Sequence, residues 1–208
     1  MKCFIFGAGP IESLEFIRAE LPSDPYILIA ADGGLRHTTA LGLVPDVIIG
    51  DMDSVQEEDV PTGAILYPSR KDDTDMMLAV KKGLALGARE FYLFGGMGGR
   101  FDHTYANIQT LAYLTEYNAH GWLMDENHRI CILQDDAMTL SPDYRYLSVF
   151  AYGGSCSGVT ITGAGYNLEN AVLTPSFPLG VSNYHAPGET MRVSVQNGSL
   201  LIIQTKLK

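Results

Sequence analysis

Apolar and polar positions along the first 126 residues switch between two periods. Short apolar runs near 2–6, 27–31, 47–49, 64–67, 91–94 and 121–124 read as strands. Between them, apolar residues recur at helical spacing. Ile11, Leu14, Ile17 and Leu21 share one face, and Met77, Val80 and Leu84 share another, on a helix that Thr74 or Asp75 starts. Tyr105, Ile108, Leu111 and Ala112 mark a third helix, with Asp102 as its N-cap. Strands alternating with helices predict βαβ units, hence an α/β domain over 1–126 with an open, mainly parallel sheet flanked by helices.

The pattern changes at about Asn127. From 146 to 208 only Glu169, Glu189, Arg192, Lys206 and Lys208 are charged. Short β-rich runs appear at 146–151, 159–162, 192–195 and 200–205, punctuated by Gly153-Gly154, Gly163, Pro187-Gly188 and Asn197-Gly198. This predicts a C-terminal antiparallel β-sandwich domain over 127–208, too small to stand without the first domain or a partner chain. Asn197-Gly198, between two apolar runs, signals a hairpin.

Composition narrows the partners. The chain has 208 residues, 46% hydrophobic and 18% charged, with a net charge of -10. That acidity argues against a sequence-independent grip on nucleic acid, which needs basic patches. Three cysteines without metal-ligand spacing read as reduced thiols of a cytoplasmic protein. Residues 2–6 read as a strand rather than a signal peptide, and the charge-poor 146–168 stretch carries too much Gly, Ser and Thr for a membrane span.

The chemistry concentrates where strands end. Fourteen of the 24 acidic residues fall in the first 75 positions. Asp32 follows the run 27–31, and Asp51 and Asp53 follow 47–49. Residues two apart in extended backbone point to the same side, so Asp51 and Asp53 can present two carboxylates to one ion such as Mg²⁺, a reading favoured over a plain turn. Asp72, Asp73 and Asp75 crowd the start of a helix, where capping explains only some of them. Gly95-Gly96-Met97-Gly98-Gly99-Arg100 allows close approach by a ligand, and the guanidinium of Arg100 suits a two-pronged phosphate contact. Gly7-Ala8-Gly9 opens like a dinucleotide fingerprint, but Glu12 stands where the third glycine belongs. A tight turn is favoured there over a phosphate-binding one. No GxxxxGK[ST] run exists, which excludes a conventional P-loop kinase. In an open α/β sheet, ligands bind outside the carboxyl ends of the strands, where these residues gather.

Several ordered blocks resemble the thiamin pyrophosphokinase family: Ala31-Asp32-Gly33-Gly34, Pro45-Asp46 with Gly50-Asp51-Met52-Asp53-Ser54, Lys71-Asp72-Asp73-Thr74-Asp75, Gly95 to His103 with Asn107, and Gly180-Val181-Ser182-Asn183. The resemblance implies an Mg²⁺-dependent enzyme that moves the pyrophosphoryl group of ATP to thiamine and releases AMP. It implies a homodimer with substrate bound between subunits. By position, Asp51, Asp53 and Asp75 surround the metal and phosphates. Asp32, Gly33, Asp72, Thr74, Gly96, Gly98, Gly99 and Arg100 serve the nucleotide. Arg100 and Asp102 stand at the nucleotide–substrate junction, with His103 on the substrate side, and Ser182 and Asn183 meet the thiamine. Some members carry a tryptophan near the Ser-Asn pair, a place that Tyr184 or His185 takes here. Asp75 and Asp102 both remain open as acceptors of the alcohol proton. The rival readings are a metal-dependent phosphohydrolase or nucleotidyltransferase, and a nucleotide-binding regulator without catalysis.

Overall fold

A computed structural model describes residues 1–50, the backbone of 65–67, and residues 73–206. The chain divides into two compact units, Met1–Glu126 and Asn127–Lys208.

The first unit alternates β1 (Lys2–Phe6), α1 (Leu14–Glu20), β2 (Ile27–Ala31), α2 (Leu35–Leu41), β3 (Val47–Ile49), β4 (Ile65–Tyr67), α3 (Asp75–Ala85), β5 (Glu90–Phe94), α4 (Phe101–Thr115) and β6 (His120–Met124). The strands stand in the order β4-β3-β2-β1-β5-β6 and every pair is parallel. β1 is central, and its apolar side chains alternate between two covered faces, which is why the run is continuous rather than alternating. Phe4 and Phe6 pack with Ile17 of α1, Leu41 of α2, Tyr92 and Phe94. Cys3 and Phe91 face α3 through Gly83, where a Cβ would stand 2.6 Å from the Phe91 ring and 3.0 Å from the Cys3 sulfur.

Local chemistry sets the helix ends. The Ser13 hydroxyl accepts from the Phe16 N–H at 3.1 Å and the Thr74 hydroxyl from the Met77 N–H at 3.2 Å, as N-caps do. α4 departs from the sequence expectation. Its N-cap is Arg100, and Asp102 lies in the first turn. Its buried stripe is Asn107, Ile108, Thr110, Leu111 and Leu114, whereas Tyr105 is exposed. α3 likewise buries Met76, Leu78, Ala79, Val80 and Gly83, with Met77 and Leu84 at the margin. α2 lay outside the sequence reading altogether. Thr38, at 0% exposure, satisfies its hydroxyl on the Leu35 carbonyl at 2.9 Å, so a polar residue occupies an apolar phase.

The second unit contains β7 (His128–Gln134), β8 (Ala137–Thr139), β9 (Tyr146–Thr162), β10 (Leu168–Leu173), β11 (Gly180–Tyr184), β12 (Arg192–Ser194) and β13 (Asn197–Thr205). All its strand pairs are antiparallel. The runs expected at 146–151 and 159–162 join into one strand of 17 residues. Its first half pairs with β11 and most of β13, its second half with β10, β12 and the start of β13. The expected hairpin at Asn197-Gly198 does not form, because β12 pairs with β8 and β9 while β13 pairs with β7 and β9. Gly198, at φ 105°, instead donates its N–H to Asp135 Oδ1 at 2.7 Å. Among the described residues, no helix is long and apolar enough to cross a membrane.

Candidate active site

Three strand-to-helix connections of the first unit meet backbone against backbone. The N–H groups of Gly7 and Gly9 donate to the carbonyls of Phe94 and Gly95, each at 2.7 Å. A Cβ on Gly9 would sit 2.5 Å from the Gly95 oxygen, and one on Gly34 only 1.8 Å from the Phe6 oxygen. Glycine is required here by contact. These bonds also fit the tight-turn reading of Gly7-Ala8-Gly9, since two of its amides are committed to the β5 end.

Around this junction lies a cavity of about 460 Å³. Its walls come from the β1–α1 turn (Gly7 to Pro10), the end of β2 (Ala31, Asp32), the start of α3 (Asp73 to Met76), the glycine loop and α4 (Arg100, His103, Asn107). Of the residues expected at the nucleotide, Asp32, Thr74, Gly96, Gly98, Gly99 and Arg100 line this one cavity, with Asp75 and His103. Gly33 adjoins it, a Cβ there lying 3.3 Å from the Ala8 Cβ. Asp51, Asp53 and Asp72 lie outside the described residues.

Asp32 holds φ 49°, a left-handed conformation that aspartate tolerates better than most residues. Such strain at a cavity wall is a common mark of function. Asp75, half-buried in the first turn of α3, has its Oδ1 shielded from solvent. Asp73 is engaged elsewhere: Lys81 Nζ reaches both of its oxygens, at 2.8 and 2.9 Å. The glycine loop is fixed from behind, because Asn107 Nδ2 donates to the Gly96 carbonyl at 2.7 Å and both groups are buried. That contact explains Asn107, whose signal in the sequence was only its place after the loop.

Arg100 was expected on phosphate rather than in a surface ion pair. In this structure it forms an ion pair with Asp102: Nε donates to Oδ1 at 3.0 Å and Nη2 to Oδ2. Both side chains are exposed, at 74% and 61%. The hydrogen bonds from Arg100, aided by the His103 N–H, hold the Asp102 carboxyl down at about 2 against its burial cost. The pair raises the Arg100 guanidinium in turn. A carboxylate and a phosphate present similar oxygen pairs to this fork, so Asp102 occupies Arg100 as a phosphate would.

Among the described residues no cluster of three or more His, Cys, Asp or Glu forms a metal cage. Asp32, Asp73 and Asp75 bring carboxylates to the cavity, hard oxygen ligands of the kind Mg²⁺ takes one or two at a time beside substrate phosphates.

Helix α2 supplies a contact that sequence reasoning missed. Arg36 Nη2 donates to the Ala8 carbonyl, and His37 Nε2 lies 2.9 Å from the Gly9 carbonyl. A carbonyl only accepts, so this bond takes Nε2–H as donor, and the Arg36 Nε, 3.5 Å from the same nitrogen, is then too far to donate to it. Burial lowers the His37 pKa below its ordinary value, with the Arg36 charge acting the same way and the Gly9 bond opposing them.

The expected thiamine residues lie in the second unit. Ser182, exposed at φ 64°, sits in a bulge of β11 and donates its N–H to the Ser148 hydroxyl at 3.2 Å. Asn183 is only 6% exposed and its amide is used internally. Oδ1 accepts from the N–H groups of Tyr166 and Tyr184, both at 3.0 Å, and Nδ2 donates to the Tyr166 carbonyl at 2.7 Å. Asn183 therefore orders its neighbours through these three bonds. The result is an edge-to-face pair of Tyr166 and Tyr184, 5.9 Å between centroids and 85° between planes, with Tyr166 70% exposed.

Comparison with known proteins places both units in one context. The sequence profile described as "Thiamin pyrophosphokinase, catalytic domain" matches residues 19–122, and "Thiamin pyrophosphokinase, vitamin B1 binding domain" matches residues 127–200. The thiamine pyrophosphokinase of Bacillus subtilis (strain 168) is 28% identical over 187 residues, covering 85% of this chain and 86% of its own. A crystal structure of the Bacillus subtilis thiamine pyrophosphokinase superposes with a TM-score of 0.91 at 25% identity, over 100% of both chains. That of the Geobacillus thermodenitrificans thiamin pyrophosphokinase gives 0.89 at 26% identity, over 100% of this chain and 99% of its own.

Proposed function

The chain belongs to the thiamin pyrophosphokinase family, and on that premise we propose that it transfers the pyrophosphoryl group of ATP to the hydroxyethyl group of thiamine, giving thiamine diphosphate and AMP. The observation that carries this reading is the convergence of Asp32, Thr74-Asp75 and the glycine loop with Arg100 on one cavity. Those blocks are far apart in the chain, and their meeting suits a polyphosphate that needs positioning and neutralised charge.

Arg100 supplies the mobile part of that neutralisation. Its fork, exposed and paired with Asp102, exchanges carboxylate for phosphate when ATP enters. Asp51, Asp53 and Asp75 would hold Mg²⁺ together with the phosphates. When bound, the ion supplies charge neutralisation on the polyphosphate. The proton of the attacking alcohol goes to a carboxylate. Asp75, on the cavity wall, and Asp102, which Arg100 releases as it turns to phosphate, are the two carboxylates open to that role.

The second unit, read as a thiamine-binding β-sandwich, presents Ser182, Tyr184 and Tyr166 to the flat heteroaromatic substrate, with Asn183 as their organiser. A homodimer is part of the proposal. Tyr166, Val172, Phe177, Leu179 and Val181 leave large apolar surface exposed within a short stretch of this unit, as a partner-covered surface does. Incubation with ATP, Mg²⁺ and thiamine, followed by nucleotide separation, tests the reaction. AMP formed only with thiamine is the expected result. ADP would indicate a simple kinase, and phosphate released without thiamine a hydrolase.

A further inference from the structure

We infer that Arg36 and His37 are positioning residues that brace the Gly7-Ala8-Gly9 turn as the nucleotide-facing wall of the cavity. The inference rests on the proposed use of ATP in that cavity.

The turn has two sides. On one, the Gly7 and Gly9 amides are tied to the β5 end. On the other, the carbonyls of Ala8 and Gly9 face α2, where Arg36 and His37 donate to them. A turn of small residues has no side chains with which to hold its own shape, so these four bonds fix it from both directions. The path from sequence to brace is short. Asp32 turns the chain in a left-handed conformation. Gly34 permits contact with the Phe6 carbonyl. Leu35, 4% exposed, anchors the start of α2 beside Ala30 and Ile48. Arg36 and His37 are then the next two residues, already within reach of the turn.

The brace also alters the electrostatics of the wall. Carbonyl oxygens are the negative ends of peptide dipoles and repel a polyphosphate. Donation from Arg36 and His37 engages two of them, and the guanidinium adds a positive charge near Gly33, its Cζ 4.0 Å from where a Cβ would stand. Neither side chain is among those lining the cavity, so both act through the turn.

The test combines hydrogen exchange with kinetics on the full chain. Arg36→Ala and His37→Ala are compared with Arg36→Lys and His37→Gln, which keep one donor each. In ligand-free protein, amide exchange in the peptide covering residues 4–16 should accelerate in the alanine variants while exchange in β13 stays unchanged. The KM for ATP should rise roughly tenfold, the loss expected of one charge-assisted hydrogen bond, with the KM for thiamine unmoved. The conservative variants should recover part of both effects. Wild-type exchange in both alanine variants would overturn the brace. Faster exchange with an unchanged KM for ATP would overturn its role toward the nucleotide. Failure of the wild-type chain to use ATP and thiamine would strike the proposed reaction instead, and the exchange data would still judge the brace.

Discussion

Asn183→Ala separates a structural role from a ligand contact more cleanly than any other single change. The amide makes three hydrogen bonds, with the Tyr166 N–H, the Tyr184 N–H and the Tyr166 carbonyl. Each net bond contributes about 1 kcal/mol, and a buried group left without a partner costs about 1–3 kcal/mol. Tyr166 is largely exposed, so its peptide groups regain water in part, which discounts the loss. The expected destabilisation is therefore about 2–3 kcal/mol, larger than a typical surface substitution. Asn183→Asp keeps the acceptor but turns a carboxylate oxygen toward the Tyr166 carbonyl, and should also destabilise. Urea unfolding followed by circular dichroism gives the measurement, with Ser182→Ala as the control, expected within about 0.5 kcal/mol of wild type. Thiamine affinity by calorimetry should fall in Asn183→Ala because the Tyr166–Tyr184 pair loses its frame. Unaltered stability in Asn183→Ala would refute this reasoning and return Asn183 to the ligand.

Other expectations follow from the first unit. Gly34→Ala drives a Cβ to 1.8 Å from the Phe6 oxygen and should cost about 3 kcal/mol or more, read as a collapse of soluble yield or melting temperature. Arg100→Ala should lower turnover and Arg100→Lys should not restore it fully, since lysine lacks the fork; a wild-type rate in Arg100→Ala would remove the side chain from the reaction. The lowered folded-state pKa of Asp102 means its ion pair is intact above about pH 4 and is lost as pH falls toward 2; an NMR titration should find that midpoint near 2, moving up toward 3.8 in Arg100→Ala. Asp51→Asn and Asp53→Asn should each remove most activity and raise the Mg²⁺ requirement, checked by rates at limiting metal. Burial raises the thiols of Cys3 and Cys131, the latter to about 12, so maleimide should label both slowly in native protein and quickly in urea.

β1, β2, β3 and β5 were legible because each is a run buried on both faces. Burial on two sides demands continuous apolar residues, and the turns between runs carry Asp and Gly that cannot continue them. The start of α3 was legible for a local reason: Thr74 caps its own helix three residues on. The glycine blocks, Asp32 and Arg100 could be assigned to one edge because a parallel sheet brings its strand ends together. Tertiary contacts decided the rest. Helix phase followed the neighbours, so α3 put Gly83 rather than Leu84 against Phe91. Asn197-Gly198 lost its hairpin because β12 and β13 have other partners. Arg100 found Asp102, Asn183 found Tyr166, and Arg36 and His37 found a turn 28 residues away. A hydrogen bond depends on where its acceptor stands in space. Periodicity records which face of an element is buried and carries no term for the group that a polar side chain will meet there.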